Sequence, residues 1–333
     1  MRAMVLHEFG KPLCMEEVPM PEPGMGQVLL RVHTCGLCGS DIKITEGKIN
    51  TTPLPFIPGH EIAGEIVKCG AGVSEDMLGK RVVSHLYVSC MTCEACKAGF
   101  YNLCENLTGR LGFELSGGLG EYVVIPEQNA VVIPDGVSYQ EACIAPCAML
   151  AIYHGINRAD IKKQDRVLIL GAGGLGIHGI QFLAAENIHV TAVDLTQEKV
   201  DLARSFGASE AILFKSFMDM KDKYSAILDN VVKPDITKAC AKRLGKNGRY
   251  VMVGYSPGVD SIFDSEYMHL NETVFIGTRN GTIQELREIL NMEKRGEIKA
   301  VIDCVLPLSE AGKALEMIKA GRITGRVVIS HEK

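Results

Sequence analysis

No apolar run in this chain reaches the length of a membrane span, and the opening stretch "MRAMVLHEFGKPLCMEEVPMPEPG" lacks the apolar core and small-residue cleavage site of a secretory signal. A cytoplasmic protein without a membrane partner is expected. Strong charge of one sign is missing too: the formal net charge is -5 and the pI is near 6.0, which gives no global field for gathering phosphate backbones. Nucleic acid is therefore not an expected partner. Internal repeats and low-complexity tracts are also absent. What remains is 47% hydrophobic and 23% charged residues, the balance of a globular protein, over 333 residues that suit two domains. In a reducing compartment the twelve cysteines read as thiols and thiolate ligands rather than crosslinks.

Two rhythms divide the chain. Up to about residue 147, short strand-like segments such as "QVLLRVHTC", "HEIAGEIVKC", "KRVVSHLYV" and "GEYVVIP" are punctuated by Pro and Gly, which predicts a barrel-like antiparallel unit. From Asp165 the pattern becomes apolar strand, Gly-rich turn, helix, strand: "RVLIL", "IHGIQFLAAE", "HVTAVD" and "QEKVDLARSFG", with Gly207 at a helix C-cap. "SAILDN", "RYVMVGY" and "TVFIGT" complete a doubly wound parallel-sheet α/β domain. The last stretch carries an amphipathic helix, "SEAGKALEMIKAG", and a closing strand, "GRVVIS".

The loop "CMTCEACKAGFYNLC" sets Cys90, Cys93, Cys96 and Cys104 at C-x2-C-x2-C-x7-C spacing. Four sulfurs so close in sequence can converge on one tetrahedral zinc at ~2.3 Å. Such a site has no coordination position left for a substrate, so it would be structural. A thioredoxin-like redox pair or an iron–sulfur cluster are the competing uses. No strand–helix thioredoxin context surrounds the loop, and the nucleotide motif points to hydride rather than one-electron chemistry.

That motif is "VLILGAGGLGIHG". Gly171, Gly173 and Gly176 form G-x-G-x-x-G between an apolar strand and a helix, with Gly174 and Leu175 inside the turn. The first Gly makes the turn, the second admits a pyrophosphate to the backbone, and the third lets helix and strand pack closely. Asp194 ends the second strand, 18 residues after Gly176, where a carboxylate can accept hydrogen bonds from an adenosine ribose diol. A carboxylate there repels a 2′-phosphate, so NAD is favoured over NADP. Lys199 is a further candidate ribose contact, or a solvated helix lysine.

"TCGLCGSD" (34–41), "PGHEIAGEIV" (58–67) and "APCAM" (145–149) are far apart, and singly each Cys or His is more often packing than ligand. In this order, with the four-cysteine loop and the Gly-rich turn, they resemble the zinc-dependent medium-chain alcohol dehydrogenase family over essentially the whole chain. The resemblance implies an α/β fold with a GroES-like β-rich catalytic domain at 1–147, including the structural zinc loop 90–104. A Rossmann NAD-binding domain would follow at 148–278, and the chain would return to the catalytic domain at 279–333.

The resemblance further implies two zinc ions per chain. Cys38, His60 and Cys147 would hold the catalytic one, with Glu61 able to enter its shell transiently. Asp41 would fix the His60 tautomer, and Ser40 would relay the alcohol proton. Cys35 is assigned to packing. Zinc would act as a Lewis acid on an alcohol whose carbon delivers hydride to the nicotinamide. Leu175 matches a side chain packed on that ring, and Arg326 matches a phosphate-contacting arginine. Two departures stand out: Lys43, with an ordinary pKa of ~10.4, replaces a relay histidine, and Gly39 replaces a basic residue at the pyrophosphate.

For substrate, Cys147 resembles the simple-alcohol branch, whereas "CGSD" resembles polyol, vicinal-diol and threonine dehydrogenases. The metal ligand weighs more, because thiolate and carboxylate change the charge on zinc directly. His85, Leu86 and Tyr87 are expected pocket walls. A non-catalytic binding protein on the same fold is the rival of another class, but it would be expected to have lost ligands. Relatives form homotetramers or homodimers, paired through "TVFIGT".

Overall fold

The computed structural model describes residues 1–49, 51–255, 257–258, 260–261 and 263–332. The chain forms two compact units: Met1–Cys147 with Thr282–Lys294 and Ala300–Lys333, and Ala148–Gly281 with Arg295–Lys299.

In the first unit the long strand Gln27–Leu37 is the organising element. It pairs antiparallel with Glu61–Cys69, with Tyr122–Pro126 and with Arg326–Ser330, so its two ends serve different partners along one edge. Apolar residues Val28, Leu30 and Val32 face one core with Ile62, Ile66 and Val82; Cys35 and Leu37, farther along, enter another with Leu119 and Val327. The seven-stranded sheet runs Ile302–Pro307, Arg326–Ser330, Gln27–Leu37, Glu61–Cys69, Arg81–Ser84, Ala130–Val132, with Tyr122–Pro126 beside Gln27–Leu37.

The strands before residue 147 pair antiparallel, and the last stretch of the chain adds one parallel pair to their sheet. Ile302–Pro307 and Arg326–Ser330 run parallel. The helix Ala311–Lys319 between them supplies the crossover that a parallel pair requires. Its buried Ala311, Ala314 and Leu315 pack on the cluster that contains Cys35, following the i, i+3, i+4 spacing of the sequence. The strand Ile302–Pro307 and the helix Ile283–Lys294 are additions to the sequence reading of this region.

The second unit is a six-stranded, wholly parallel sheet in the order Glu210–Leu213, His189–Asp194, Arg166–Leu170, Tyr224–Asp229, Leu244–Met252, Val274–Gly277. The winding reverses beside Arg166–Leu170, which opens a crevice at the carboxyl ends of the central strands. Gly207 follows the helix Gln197–Ser205 at φ +99, the left-handed conformation that ends a helix cheaply only in glycine. Among the described residues, no helix is long and apolar enough to cross a membrane.

Candidate metal centres and nucleotide site

Cys38, His60, Glu61 and Cys147 each bring one donor atom into a group whose members all lie within 4.8 Å of one another. The scaffold explains how residues so distant in sequence meet. Cys38 leaves the end of the strand Gln27–Leu37 and caps the helix Gly39–Thr45, its sulfur accepting from the Ser40 N–H at 3.3 Å. Asp41 does two things at once. Its Oδ2 accepts from the Cys38 N–H at 2.8 Å, closing a capping box, and its Oδ1 lies 3.2 Å from His60 Nδ1. The imidazole is thereby turned so that Nε2 faces Cys38 Sγ at 3.4 Å. Cys147 arrives on the π-helical turn Ala145–Met149, an irregularity of the sort that collects at functional sites.

The electrostatics of this group call for a cation. Cys38 accepts a hydrogen bond from Cys147 and, with His60 and Arg326 nearby, is held well below the usual thiol range, while Cys147 is held well above it. Burial disfavours charge on His60, but Asp41 and Cys38 outweigh it and raise the imidazole. Burial pushes Glu61 up to about 7 despite the adjacent Arg326. Two cysteine sulfurs, an imidazole and a carboxyl within reach of one another are the donor types that hold zinc, so the set fits that ion.

Arg326, expected at a phosphate, is engaged within the protein. It is buried at 5% exposure, its Nε donates to Glu61 Oε1 at 3.0 Å, and its terminal nitrogen lies 4.0 Å from Cys147 Sγ. Sequence reading could not anticipate this pair, because it spans 265 residues of chain and depends on strand register. Cys35 is fully buried in an apolar cluster with Leu37 and Leu119, in keeping with packing. Lys43, one turn beyond Ser40, is half-buried, and burial lowers its pKa. Leu86 and Tyr87 pack with Ile44, Phe56 and Phe113, while Asn129 Nδ2 donates to the His85 and Tyr87 carbonyls at 2.6 and 2.8 Å. The ring of Phe113, a residue that carries no motif, stands 4.9 Å from that of His60.

The second cluster is local. Cys90, Cys93, Cys96 and Cys104 also lie within 4.8 Å of one another, none in a disulfide. Sulfurs at ~2.3 Å from a tetrahedral zinc would be ~3.8 Å apart. The Cys90–Cys96 and Cys93–Cys104 sulfurs are each 4.0 Å apart. The Cys90 and Cys93 N–H groups point at Cys104 and Cys90 sulfurs, at 3.2 and 3.3 Å, as they would toward thiolates. Hydrogen bonds from Thr92 bring Cys90 down to about 5, whereas burial pushes Cys96 up to about 12. Four cysteine sulfurs at these separations fit the donor set of one tetrahedral zinc.

In the second unit Gly171, Gly173, Gly174, Leu175, Gly176, Asp194 and Lys199 line one cavity of about 300 Å³. Gly171 sits at φ +84, and a Cβ on Gly176 would stand 1.8 Å from the Gly171 carbonyl oxygen, so neither position admits a side chain. Asp194 accepts from the Ala172 and Leu195 N–H groups at 2.8 and 2.6 Å, which fixes its carboxylate at the cavity wall. Two residues without a role in the sequence reading hold the loop, and a third, Asp229, orders the chain that follows the neighbouring strand. His178 Nδ1 donates to the Gly174 carbonyl at 2.7 Å, and Asn230 Nδ2 donates to Leu170 and Gly171 at 3.2 and 3.4 Å. Buried Asp229 accepts from Val231, Val232, Thr237 and Tyr250. The signal for Asp229 and Asn230 was present: "SAILDN" ends a parallel strand at the crevice edge.

Residues 24–135 match the family described as Alcohol dehydrogenase GroES-like domain, and residues 206–329 match Zinc-binding dehydrogenase. The chain is 34% identical to an alcohol dehydrogenase of Moraxella sp. over 99% of both chains. It belongs to the zinc-type medium-chain dehydrogenase/reductase family. Membership makes it an oxidoreductase. An NAD-dependent alcohol dehydrogenase of Sulfolobus acidocaldarius is 33% identical, again over 99% of both chains. The solved structure of an acetophenone reductase from Geotrichum candidum in complex with NAD superimposes with a TM-score of 0.90 at 31% identity, covering 99% of this chain and 96% of that one.

Proposed function

We propose that the chain reversibly oxidises a simple primary or secondary alcohol to an aldehyde or ketone with NAD, and that it carries two zinc ions, a catalytic one at Cys38, His60 and Cys147 and a structural one at Cys90, Cys93, Cys96 and Cys104. The observation that carries this reading is the convergence of the Cys38, His60 and Cys147 donors, with the Glu61 carboxyl as the fourth member of the group among the described residues. When bound, zinc supplies Lewis acidity toward the alcohol oxygen and NAD supplies the hydride acceptor.

The residues divide the remaining work. Asp41 holds the His60 tautomer in which Nε2 faces the metal. Ser40, beside Cys38 at the helix start, would relay the alcohol proton, its hydroxyl oxygen accepting that proton while its own hydroxyl proton passes on toward the cofactor ribose. The Gly171, Gly173, Gly174 and Gly176 backbone receives the pyrophosphate at the start of the helix Gly176–Ala185. Leu175 packs on the nicotinamide, Asp194 accepts from the adenosine ribose, and Lys199 lies at the same ribose. A phosphate contact by Arg326 would use the guanidinium edge that Glu61 leaves over. A cytoplasmic homotetramer or homodimer suits the sheet edge Val274–Gly277, where Val274 is 46% exposed.

The test is zinc analysis together with NADH formation on primary alcohols, secondary alcohols and vicinal diols. Turnover of simple alcohols that a strong chelator abolishes is the expected result. Chelator-resistant turnover would overturn it, and preference for diols would replace the substrate class. Asp194→Ala should raise the KM for NAD roughly 10-fold or more, with little change for NADP; equal effects on both would remove the ribose role.

A further inference from the structure

Glu61, Gly36 and Arg326 lie on three adjacent strands of one sheet. In the register, Glu61 stands directly opposite Gly36 on one side, and Val328, two residues beyond Arg326, stands opposite Gly36 on the other. The Glu61 side chain crosses the middle strand at Gly36 to reach Arg326, where Oε1 takes the Nε donor at 3.0 Å. Only a missing side chain permits this crossing. A Cβ on Gly36 would stand 2.3 Å from Glu61 Oε2 and 3.0 Å from Glu61 Cβ. Oε2 is buried with no hydrogen-bond partner, and Oε1 is 4.0 Å from His60 Nε2. The carboxylate thus has one oxygen anchored on a guanidinium and the other resting over bare backbone, beside a group of metal donors that it could otherwise join.

We propose that Gly36 and Arg326 form a seat that keeps the Glu61 carboxylate beside the metal held by Cys38, His60 and Cys147, so that one coordination position stays available to substrate. Both are positioning residues, and the inference rests on the catalytic-zinc reading. Filling the seat with a methyl group pushes Glu61 toward the metal. Removing the guanidinium releases the anchored oxygen and leaves a buried carboxylate whose nearest compensating charge is the metal.

The test uses cobalt(II)-substituted full-length protein, whose visible bands weaken when a fourfold site gains a further ligand. Gly36→Ala and Arg326→Gln should each weaken those bands, slow metal release to a chelator, and lower kcat roughly 10- to 100-fold with a smaller change in the KM for NAD. Combining Gly36→Ala with Glu61→Ala should restore the spectrum to that of Glu61→Ala alone, since the clashing carboxylate is gone. If Gly36→Ala fails to fold, Arg326→Lys and Arg326→Gln carry the test, with Lys expected to retain part of the anchor. Unchanged bands in folded variants, even with lost activity, would overturn the seat while leaving the metal reading intact. Failure of the unsubstituted protein to bind metal at Cys38, His60 and Cys147 would instead overturn that reading.

Discussion

Two clusters of candidate metal donors in one chain are assembled in opposite ways. Cys90, Cys93, Cys96 and Cys104 come from one loop of fifteen residues, all four are thiols, and the N–H groups of Cys90 and Cys93 turn inward on the sulfurs. Cys38, His60, Glu61 and Cys147 are drawn from a span of more than a hundred residues, and the fourth donor is a carboxyl already committed to Arg326. The local set closes on itself, and its chelate rings are short enough to assemble cheaply. The long-range set needs the sheet built first, and this dependence is what permits a weak fourth partner to be held aside. On the proposed division of roles, a site for chemistry costs more scaffold than a site for stability.

The comparison breaks most visibly by deleting one ligand from each. His60→Ala should lower kcat/KM at least ~10³-fold, the scale of losing several kcal/mol of Lewis-acid stabilisation, while the zinc bound by the fifteen-residue loop stays in place by elemental analysis. Cys96→Ser should do the reverse. It should lose the loop's zinc and destabilise the fold by ~4 kcal/mol or more, as loss of a structural metal does, measurable by chemical denaturation. Should Cys96→Ser abolish turnover in protein that remains folded, the division of labour would be wrong.

Asp41→Asn sharpens the contrast, since the local cluster has no imidazole to orient. Neutral amide in place of carboxylate weakens both the His60 contact and the cap on Cys38, so metal affinity or kcat should fall roughly 10- to 100-fold, read by competition with a chromogenic chelator.

Acid provides the smallest and most selective separation. His331 Nε2 donates to the Gly118 carbonyl at 2.9 Å, and the Gly118 N–H donates to the carbonyl of Gly59, next to His60. Burial pulls the His331 pKa from 6.5 to about 4. The unfolded chain then binds the proton first, so this contribution to stability is complete above pH 6.5 and is lost as pH falls toward 4. His331→Gln should flatten the slope of the melting temperature in that window; an unchanged slope would remove His331 as its source.

The legible and illegible parts follow the same division. The four-cysteine loop, the glycine turn and the helix ending at Gly207 could be read directly, because each is a local pattern whose physics is complete within a few residues. Cys38, His60 and Cys147 could be named only through resemblance, since nothing in their separate surroundings says that they meet. Phe113 beside His60, His178 on the loop carbonyl, and Arg326 on Glu61 had no local signature. The parallel pairing of Ile302–Pro307 with Arg326–Ser330 is equally a matter of which edge remained open.

By itself, the amino-acid order determined the alternation that buries Cys35 and Leu37 together, the thiol spacing of the loop, and the glycines that keep side chains off the turn at the crevice. Only the tertiary structure decided that Gly36 stands between Glu61 and Arg326. Strand register is set by the packing of whole faces rather than by the residues that happen to face one another, and a slip of one residue would have turned the carboxyl away from the metal donors altogether.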